Sequence, residues 1–364
     1  MTKMPAYAED FTVDWLNSAL SPRLGSQRVI QCDAKDSDIP GQTAEIILLN
    51  VTYDSNEKNL PTKMVAKVTS RNSVVLEQVI ANYDQYRRET SFYREFPDCG
   101  ISVPDCLYAE HDADKQEMVL LLGDLAPALS PSWAASPEQV EMALSHLPGI
   151  HGKWWNDPLL RSKDWMVQYD NQAFFGAAFH AADAAQTALR ELYDSPDLTI
   201  EAMVFLNSNL DKILSFFASR SFTFVHGDYH AKQMFFPTDL GGDFAVIDWQ
   251  FPFVAPGPWD FARMLSMCMS TEERRSKEEK LIDNYLSGLR QKGVESYDKE
   301  SFMLDYKMGL LVSQMIMCIA AADTDPHILE KECVDLGLDW RDVMFDRTQR
   351  AMEEHDVMAL LHSI

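Results

Sequence analysis

The longer strand-forming segments in this chain of 364 residues fall in its first third, whereas helix-forming segments dominate the remainder. Residues 44–53 and 64–69 are rich in β-branched and apolar side chains and flank a polar turn, which predicts two antiparallel strands. Residues 74–96 carry apolar side chains at mostly helical spacing and are predicted to form one long helix. A further apolar run, 117–122, predicts another strand that ends at Gly123.

The remaining sequence predicts helices joined by short connections. Residues 136–139 read Ser-Pro-Glu-Gln, and a capping serine followed by proline and then by glutamine at the third position is typical of a helix start. The other predicted helices are 199–220, 271–292, 299–322 and 339–361, and the predicted short strands are 222–225 and 244–247. We therefore expect an α+β protein with residues 1–125 as a small sheet-containing domain and 126–364 as a larger helical domain.

The chain is acidic, with 32 basic and 56 acidic side chains and a formal net charge of −24. A surface of this charge repels phosphate backbones and anionic lipid headgroups, so a broad nucleic-acid-binding or membrane-coating role is disfavoured. Because 46% of the residues are hydrophobic, the chain can bury a large core and is not globally disordered. A small anionic ligand held at one local site remains compatible with this charge.

Segments for export, membrane anchoring or disulfide formation are not expected. Glu9, Asp10 and Asp14 lie where a secretory signal needs a continuous apolar stretch. The longest charge-free helical run, 308–322, is short for a membrane span. Six cysteines without CxxC spacing in a chain of this size favour reduced thiols, so we expect a cytoplasmic protein.

The stretch 224–262 contains the most informative group of residues. An HGD tripeptide that ends in Asp228 follows a predicted strand, Gln233 lies five residues later, and Asp248 ends the next predicted strand. This order resembles the catalytic centre of protein-kinase-like phosphotransferases, in which an aspartate base, an amide ligand of the metal and a second aspartate follow one another.

The residue types suit phosphoryl transfer to an alcohol. An alcohol is a poor nucleophile at neutral pH, so a carboxylate such as that of Asp228 must orient it and accept its proton. Magnesium neutralises the charge of a triphosphate and prefers hard oxygen ligands, which Asp248 and Gln233 can supply. We expect these three side chains to meet in the folded chain.

The first domain offers residues that match a nucleotide site. Lys67, within the predicted strand 64–69, matches the lysine that binds the inner phosphates of the nucleotide, and Glu89 on the predicted helix matches its ion-pair partner. A turn before the first strand, with one glycine, would cover the phosphates, and the adenine would lie near the end of the strand 117–122. The nucleotide contacts predicted there are Gly41, Gln42, Thr43 and Leu122.

These motifs together resemble the aminoglycoside phosphotransferase and choline kinase-like superfamily, with a pattern most similar to its ecdysteroid-kinase-like branch. The resemblance covers residues 39–263 and rests on Lys67, the E-x-x-F-Y of residues 89–93, HGDYH, IDWQ and the later WDFA segment. It implies a bilobed protein-kinase-like fold, with ATP and Mg2+ as cofactors. It also implies Asp228 as the catalytic base, Asp260 as a brace of the catalytic loop and His226 as a hydrogen-bonding residue of that loop.

The implied reaction transfers the γ-phosphoryl group of ATP to a hydroxyl of a small molecule, for which amino alcohols, aminoglycoside-like compounds and sterol-like alcohols are candidates. The acidic second domain is compatible with a cationic acceptor, although a solvated acidic face explains the same charge. The sequence does not indicate the identity of the acceptor, a preference for ATP over GTP, or an oligomeric state.

Two departures from the family pattern keep alternatives open. Gln233 replaces the usual asparagine, and Gly123 replaces the usual hinge acid. The change at Gln233, together with the single glycine of the phosphate-covering turn, leaves a nucleotide-binding pseudokinase with impaired catalysis as one alternative. A metal-dependent hydrolase is another, because His226, Asp228 and His230 are residue types that ligate transition metals.

Overall fold

The chain forms two compact units. The computed structural model describes residues 3–38, 41, 43–55, 57–76, 83–323 and 326–364. The first unit comprises Met1–Leu129 and Pro237–Phe251, and the second comprises Ser130–Phe236 and Pro252–Ile364.

The segment Pro237–Phe251 belongs to the first unit, whereas the sequence-based boundary kept all of 126–364 together. Two contacts bind this segment to the first unit. The amide of Val246 donates to the carbonyl of Ser102 at 2.9 Å, and the ring of Trp249 stacks on that of Phe92. The assignment of the two units as a nucleotide domain and a substrate domain stays a prediction.

A five-stranded antiparallel sheet in the first unit confirms the predicted α+β fold class. Its spatial order is β1-β2-β3-β5-β4. The strands are β1 Val29–Asp36, β2 Ala44–Tyr53, β3 Lys63–Thr69, β4 Cys106–Asp112 and β5 Glu117–Gly123. The sequence predicted the three central strands but neither edge strand, because β1 and β4 carry polar or charged side chains at many positions and lack a continuous apolar pattern.

Successive side chains of β3 point alternately to the hydrophobic core of the first unit and to the opposite face of the sheet. Met64, Ala66 and Val68 are buried in the main core of the first unit. Lys67 lies between two of them and therefore projects from the opposite face of the sheet, because successive side chains of a strand point to opposite faces. The strand thus fixes the direction in which the Lys67 ammonium projects.

The prediction of one continuous helix over residues 74–96 is wrong, because the helix is interrupted. Asp84 has a left-handed backbone with φ of 53°, which ends an α-helical path, and the helix Gln85–Glu95 begins after it. Residues 77–82 lie outside the described part of the chain. The other described helical segments of the first unit are Ala8–Asp10, Val13–Ala19, Ser21–Leu24 and Ser73–Val75.

The second unit is mainly helical, as predicted. The capping box of Ser136 is present, and its side chain accepts from the amide of Gln139. The α-helices that follow are Pro137–Lys153, Pro158–Arg161, Gln172–Ala184, Gln186–Leu192, Asp197–Ser208, Leu210–Ala218, Pro258–Cys268, Thr271–Gln291, Lys299–Asp323, Pro326–Val334, Arg347–Glu354 and Val357–Ser363. Short helical turns span Ala231–Gln233 and Asp342–Asp346.

Short strands in the second unit accompany these helices. Phe253–Ala255 pairs in parallel with Val167–Gln168 and antiparallel with Thr223–Val225. Met234–Phe235 is a further strand of this unit, and Ala245–Val246 is a short strand of the first unit. The predicted strands 222–225 and 244–247 are therefore present in shortened form.

Two predicted helices are also broken. The span 199–220 is divided at Asn209, whose side chain donates to the carbonyl of Phe205 at 2.9 Å and competes with continued helix formation. The span 339–361 is divided at Asp356, where φ is 49°.

The helix Lys299–Asp323 matches its prediction and packs into the second unit. Within the described residues, its span Lys299–Ala322 is the one helix long and apolar enough to cross a membrane, and 72% of its most apolar window is buried inside the protein. Such burial is typical of the core helix of a globular domain. All six cysteines are free thiols.

Candidate active site

Lys67, in the middle of β3, forms two ion pairs within the first unit. Its Nζ lies 2.7 and 2.9 Å from the two carboxylate oxygens of Glu89 and 2.8 Å from Oδ1 of Asp248. The side chain of Glu89 is fully buried, whereas those of Lys67 and Asp248 are 14% and 28% exposed. Asp248 is therefore the member of this cluster that is most accessible to a ligand.

The charge of Lys67 is stabilised by its partners. Burial by itself would lower the pKa of Lys67, but the carboxylates of Asp248 and Glu89 more than reverse this effect and raise it above its ordinary value. Burial raises the pKa of Glu89, and the ammonium of Lys67 opposes that rise. Lys67 is therefore a fixed cation at neutral pH, as the binding of a phosphate group requires.

The helix Gln85–Glu95 places Glu89 in this cluster. Its buried side chains include Tyr86, Glu89 and Phe92, which lie three residues apart and so share one face of the helix. Tyr86 anchors the start of the helix, because its hydroxyl donates to the carbonyl of Thr43 and accepts from the amide of Ser70, both at 2.8 Å.

Trp249 holds Asp248 and Gln250 against the cluster. Its indole ring is buried and stacks on Phe92 with 3.9 Å between ring centroids and 9° between planes. Asp248, just before it, has φ of 66°, a left-handed conformation that aspartate tolerates better than most residues. Just after it, Gln250 places Nε2 3.4 Å from Oε2 of Glu89.

The predicted phosphate-covering turn is only partly described, because Gln42 lies outside the described residues. Position 41 requires a glycine because the chain packs closely there: a Cβ atom on Gly41 would lie 2.2 Å from the carbonyl oxygen of Ala44. Thr43 does not project freely: its hydroxyl exchanges hydrogen bonds with the side-chain amide of Gln250 at 2.8 and 3.2 Å.

Leu122, the predicted adenine contact, lies on the same face of the sheet as Lys67. It is paired with Val65 across β3 and β5, and Lys67 is paired with Leu120. Directly opposed residues of antiparallel strands share a face, and positions two apart along a strand do so as well. Leu122 is 6% exposed.

Asp228, the predicted base, is surrounded by hydrogen-bond donors of the second unit. Nε and Nη2 of Arg263 lie 2.8 and 2.6 Å from its Oδ1, and Nε2 of His230 lies 3.2 Å from the same oxygen. Nε2 of Gln233 donates to Oδ2 at 2.9 Å. The structure therefore brings Asp228 and Gln233 together.

These donors keep Asp228 ionised. Burial by itself would raise the pKa of Asp228, but His230 and Arg263 lower it well below its usual range. Burial lowers the pKa of His230, whose ring stacks on Trp133 at 4.5 Å between centroids. Because a carboxylate only accepts, its contact with Nε2 assigns the proton of a neutral His230 to that nitrogen.

The loop that carries Asp228 is fixed by Asp260. The amides of His226 and Gly227 donate to its two carboxylate oxygens at 2.7 and 2.9 Å. Nε2 of His151 lies 3.4 Å from the same group, and Nδ1 of His226 accepts from the amide of Asp228 at 3.2 Å. Asp260 and His226 thus contact the backbone of the loop, as a supporting role requires.

Both predicted magnesium ligands have an oxygen atom that is available for a cation. In Asp248, Oδ1 accepts from Lys67, and Oδ2 accepts no hydrogen bond from the described residues. In Gln233, Nε2 donates to Asp228, and Oε1 likewise accepts none from the described part of the chain. A carboxylate and an amide carbonyl are donors that suit Mg2+. Asp248 belongs to the first unit and Gln233 to the second, so the expected meeting of Asp248 with the other two stays a prediction.

The alternative transition-metal site is not favoured by these contacts. Nδ1 of His226 is engaged by the backbone, and Nε2 of His230 is engaged by Asp228. Among the described residues, no group of three or more histidine, cysteine, aspartate or glutamate side chains is arranged to hold a metal ion.

Sequence reasoning missed Gln250 and Arg263 as members of the site. Gln250 follows Asp248 by two positions, but its link to Thr43 depends on tertiary packing. Arg263 could have been found from its spacing, because residues three apart on a helix share a face and Asp260 had already been assigned to the loop.

By sequence, this chain matches a family model and a curated protein, and by fold it matches solved structures. A family model described as "Uncharacterized oxidoreductase dhs-27" matches residues 177–333. A Caenorhabditis elegans protein of the same name is 21% identical over 380 residues, an alignment that covers 88% of this chain and 44% of that relative. The chain therefore spans less than half the length of the curated relative that it matches.

Solved structures of small-molecule kinases share the fold over most of the chain. A Ralstonia eutropha protein classed as an aminoglycoside phosphotransferase has a TM-score of 0.53 at 12% identity, covering 97% of this chain and 98% of that one. A choline kinase from Cryptosporidium parvum has a TM-score of 0.51 at 10% identity and covers 84% and 91%. An ethanolamine kinase from Plasmodium vivax has a TM-score of 0.50 at 9% identity and covers 84% and 80%. At these identities the likeness shows the fold alone, which agrees with the predicted protein-kinase-like fold.

Proposed function

We propose that this chain, which has the fold of the aminoglycoside phosphotransferase and choline kinase-like superfamily, transfers the γ-phosphoryl group of ATP to a hydroxyl group of a small molecule. The observation that carries the proposal is the Lys67 ammonium held between Glu89 and Asp248. A buried glutamate that orients a strand lysine, beside an accessible carboxylate, is the arrangement that phosphoryl transfer uses to bind a nucleotide and its metal.

In the proposed reaction Lys67 binds the inner phosphates of ATP, and Gly41, Gln42, Thr43 and Leu122 lie along the nucleotide. Lys67 can act as a fixed donor because its charge is stabilised before the nucleotide arrives. The magnesium ion, held by Asp248 and Gln233, would neutralise charge on the phosphates when bound.

Asp228 orients the acceptor. As the acceptor oxygen forms its bond to the γ-phosphorus, the bond from that phosphorus to the bridging oxygen of ADP breaks, and the proton of the hydroxyl passes to Asp228. The strongly lowered pKa of Asp228 makes it a weak base, so its main contribution is orientation of the hydroxyl. This is compatible with a loose transition state in which the proton leaves late.

The name of the C. elegans relative refers to a different chemistry, which the fold of this chain does not favour. Nicotinamide-dependent oxidoreductases commonly bind their cofactor on a parallel sheet, at a turn with the pattern G-x-G-x-x-G. The large sheet here is antiparallel, and no two glycines in this sequence are separated by a single residue. The oxidoreductase name belongs to a longer protein, and the alignment with this chain covers 44% of the length of that protein.

The acceptor is proposed by class only: an amino alcohol, an aminoglycoside-like compound or a sterol-like alcohol. The names of the small-molecule kinases that share the fold support the amino alcohol and the aminoglycoside-like compound, and the sterol-like alcohol rests on the sequence resemblance. We propose a cytoplasmic location, which the reduced thiols and the buried helix Lys299–Asp323 support.

The test is ATP-dependent phosphorylation in a panel of alcohols or a metabolite extract with added Mg2+, read by mass spectrometry as the addition of one phosphate to one compound. We expect Asp228→Asn to lower kcat about 10²- to 10⁴-fold while nucleotide binding persists. Nucleotide binding without turnover on any acceptor would favour the pseudokinase alternative. Turnover that is insensitive to Asp228→Asn would contradict the assigned base.

A further inference from the structure

We propose that Arg263 is a positioning residue for the reaction: it holds Asp228 through Oδ1 and leaves Oδ2 to orient the acceptor hydroxyl. This inference rests on the proposed function and adds a residue that lies outside the motifs from which that function was argued. It explains why two nitrogen atoms of one arginine converge on a single oxygen of the base.

The two oxygens of Asp228 have unequal surroundings. Oδ1 is contacted by Nε and Nη2 of Arg263 and by Nε2 of His230, so its lone pairs are fully engaged. Among the described residues, Oδ2 has Gln233 as its one donor. Oδ2 therefore retains a lone pair that can accept a hydrogen bond from a substrate hydroxyl, whereas Oδ1 does not.

Arg263 is itself held in place. Its side chain is 4% exposed, and its Nη1 donates to the hydroxyl of Ser313 at 3.3 Å. It lies on the helix Pro258–Cys268, every residue of which is buried. A guanidinium with so little freedom fixes the plane of the carboxylate that it binds.

The same helix also fixes the loop backbone. Asp260 lies three residues before Arg263 and accepts the amides of His226 and Gly227. One rigid helix therefore determines the position of the loop through Asp260 and the orientation of the base through Arg263. Rigid orientation of a reacting group is a large source of rate enhancement, because small displacements of that group are costly.

The test is a double-mutant cycle on kcat. Arg263→Gln is expected to lower kcat about 10- to 100-fold with KM for ATP changed less than about threefold, since Arg263 acts through Asp228 and not on the nucleotide. Arg263→Lys, which keeps the charge, is expected to recover part of the loss. In an Asp228→Asn background, Arg263→Gln is expected to cause no further loss, because the group on which it acts is already absent.

Thermal unfolding separates positioning from a general loss of structure. Arg274 is a matched control: it is a buried arginine of the same unit, ion-paired to Glu278 and Glu354 and remote in sequence from the loop. Arg274→Gln is expected to lower the unfolding temperature at least as much as Arg263→Gln and to leave kcat of the folded protein unchanged. An equal loss of kcat in both variants would overturn the proposal.

The remaining outcomes distinguish this inference from the proposed function. If the wild type phosphorylates an acceptor but the effects of Asp228→Asn and Arg263→Gln on kcat are additive, Arg263 does not act through Asp228 and its positioning role is overturned alone. If the wild type yields no phosphorylated product with any acceptor, the proposed function is overturned and this role is overturned with it.

Discussion

Gln250 and Thr43 hydrogen-bond to each other through both ends of the Gln250 side-chain amide, although 207 positions separate them in the chain. Thr43 directly precedes β2, and Nε2 of Gln250 also approaches Glu89. This link therefore joins the predicted phosphate-covering turn to the ion pair of Lys67.

Replacement of Gln250 by methionine should loosen that link. Methionine has a similar length but donates no hydrogen bond, so Thr43 loses its partner and Glu89 loses one donor. We expect a loss of about 1–2 kcal/mol in the free energy of unfolding and a severalfold weaker affinity for ATP. Urea unfolding and calorimetric titration with ATP measure the two effects.

Thr43→Val is the matched variant for this prediction, because it removes the same link from the other side. The two substitutions combined should cost less than the sum of their separate effects, since either one already breaks the link. Fully additive losses would show that Gln250 and Thr43 act independently.

Lys67→Met should weaken both the fold and the nucleotide site. The substitution leaves the carboxylate of Glu89 buried without its cationic partner, a change that typically costs about 3 kcal/mol or more. We expect ATP affinity to fall at the same time, which binding measurements can follow at a temperature where the variant is folded. Lys63→Met is the control, because Lys63 is exposed and lies on the same strand and the same face. Similar losses of affinity in both variants would contradict a specific role for Lys67.

Gly41→Ala should impair the nucleotide site through steric strain. The added Cβ would lie 2.2 Å from the carbonyl oxygen of Ala44, so the backbone of the turn must move. We expect KM for ATP to rise about tenfold, in line with the usual cost of overpacking. Gly176→Ala is the control: there the nearest atom is a flexible end of Leu210 at 3.3 Å, and kinetic constants should not change. Unchanged kinetics in Gly41→Ala would indicate that the turn does not cover the nucleotide.

The partly buried Glu278 should make stability depend on pH. Burial by itself would raise its pKa, but hydrogen bonds from His355 and Tyr306 and the charge of Arg274 lower it below the ordinary 4.5. A carboxyl group whose pKa is lowered by folding stabilises the protein above its unfolded pKa, and this contribution is lost as the pH falls through the folded pKa.

The difference in unfolding free energy between wild type and Glu278→Gln should therefore be largest near neutral pH and should shrink as the pH falls below about 4.5. Urea unfolding over a series of pH values measures it. Glu279→Gln is the control, because Glu279 is the next residue on the helix and its side chain is 86% exposed. A constant difference for Glu278→Gln across this range would show that its ionisation is not linked to folding.

Local patterns in the sequence were sufficient to predict the three central strands of the large sheet. β2, β3 and β5 have apolar side chains on both faces or in regular alternation, and these patterns are visible without tertiary structure. The ion pair between Lys67 and Glu89 was also predicted, because the strand and the helix follow one another in the sequence. The two residue types match the lysine–glutamate ion pair of protein-kinase-like phosphotransferases. The edge strands were not visible, since exposed strands carry polar residues.

Contacts that depend on packing could not be predicted in the same way. The left-handed backbone at Asp84 and Asp356 interrupts helices whose apolar periodicity continues through the break. Nothing in the local sequence of residues 237–251 signals that this segment returns to the first unit, because its anchor is the stack of Trp249 on Phe92.

The return of Pro237–Phe251 to the first unit has a consequence for the synthesis of the protein. Asp248 and Trp249 reach the ribosome exit only after Ser130–Phe236, a large part of the second unit, has been made. Because domains tend to fold as they emerge, the first unit must wait in an incomplete state with Lys67 lacking one carboxylate partner and Phe92 lacking its stacked ring. We therefore expect the first unit to be open to misfolding and to proteases between the emergence of residue 129 and that of residue 251. A fragment that ends at residue 129 would contain every strand of the large sheet but neither Asp248 nor Trp249.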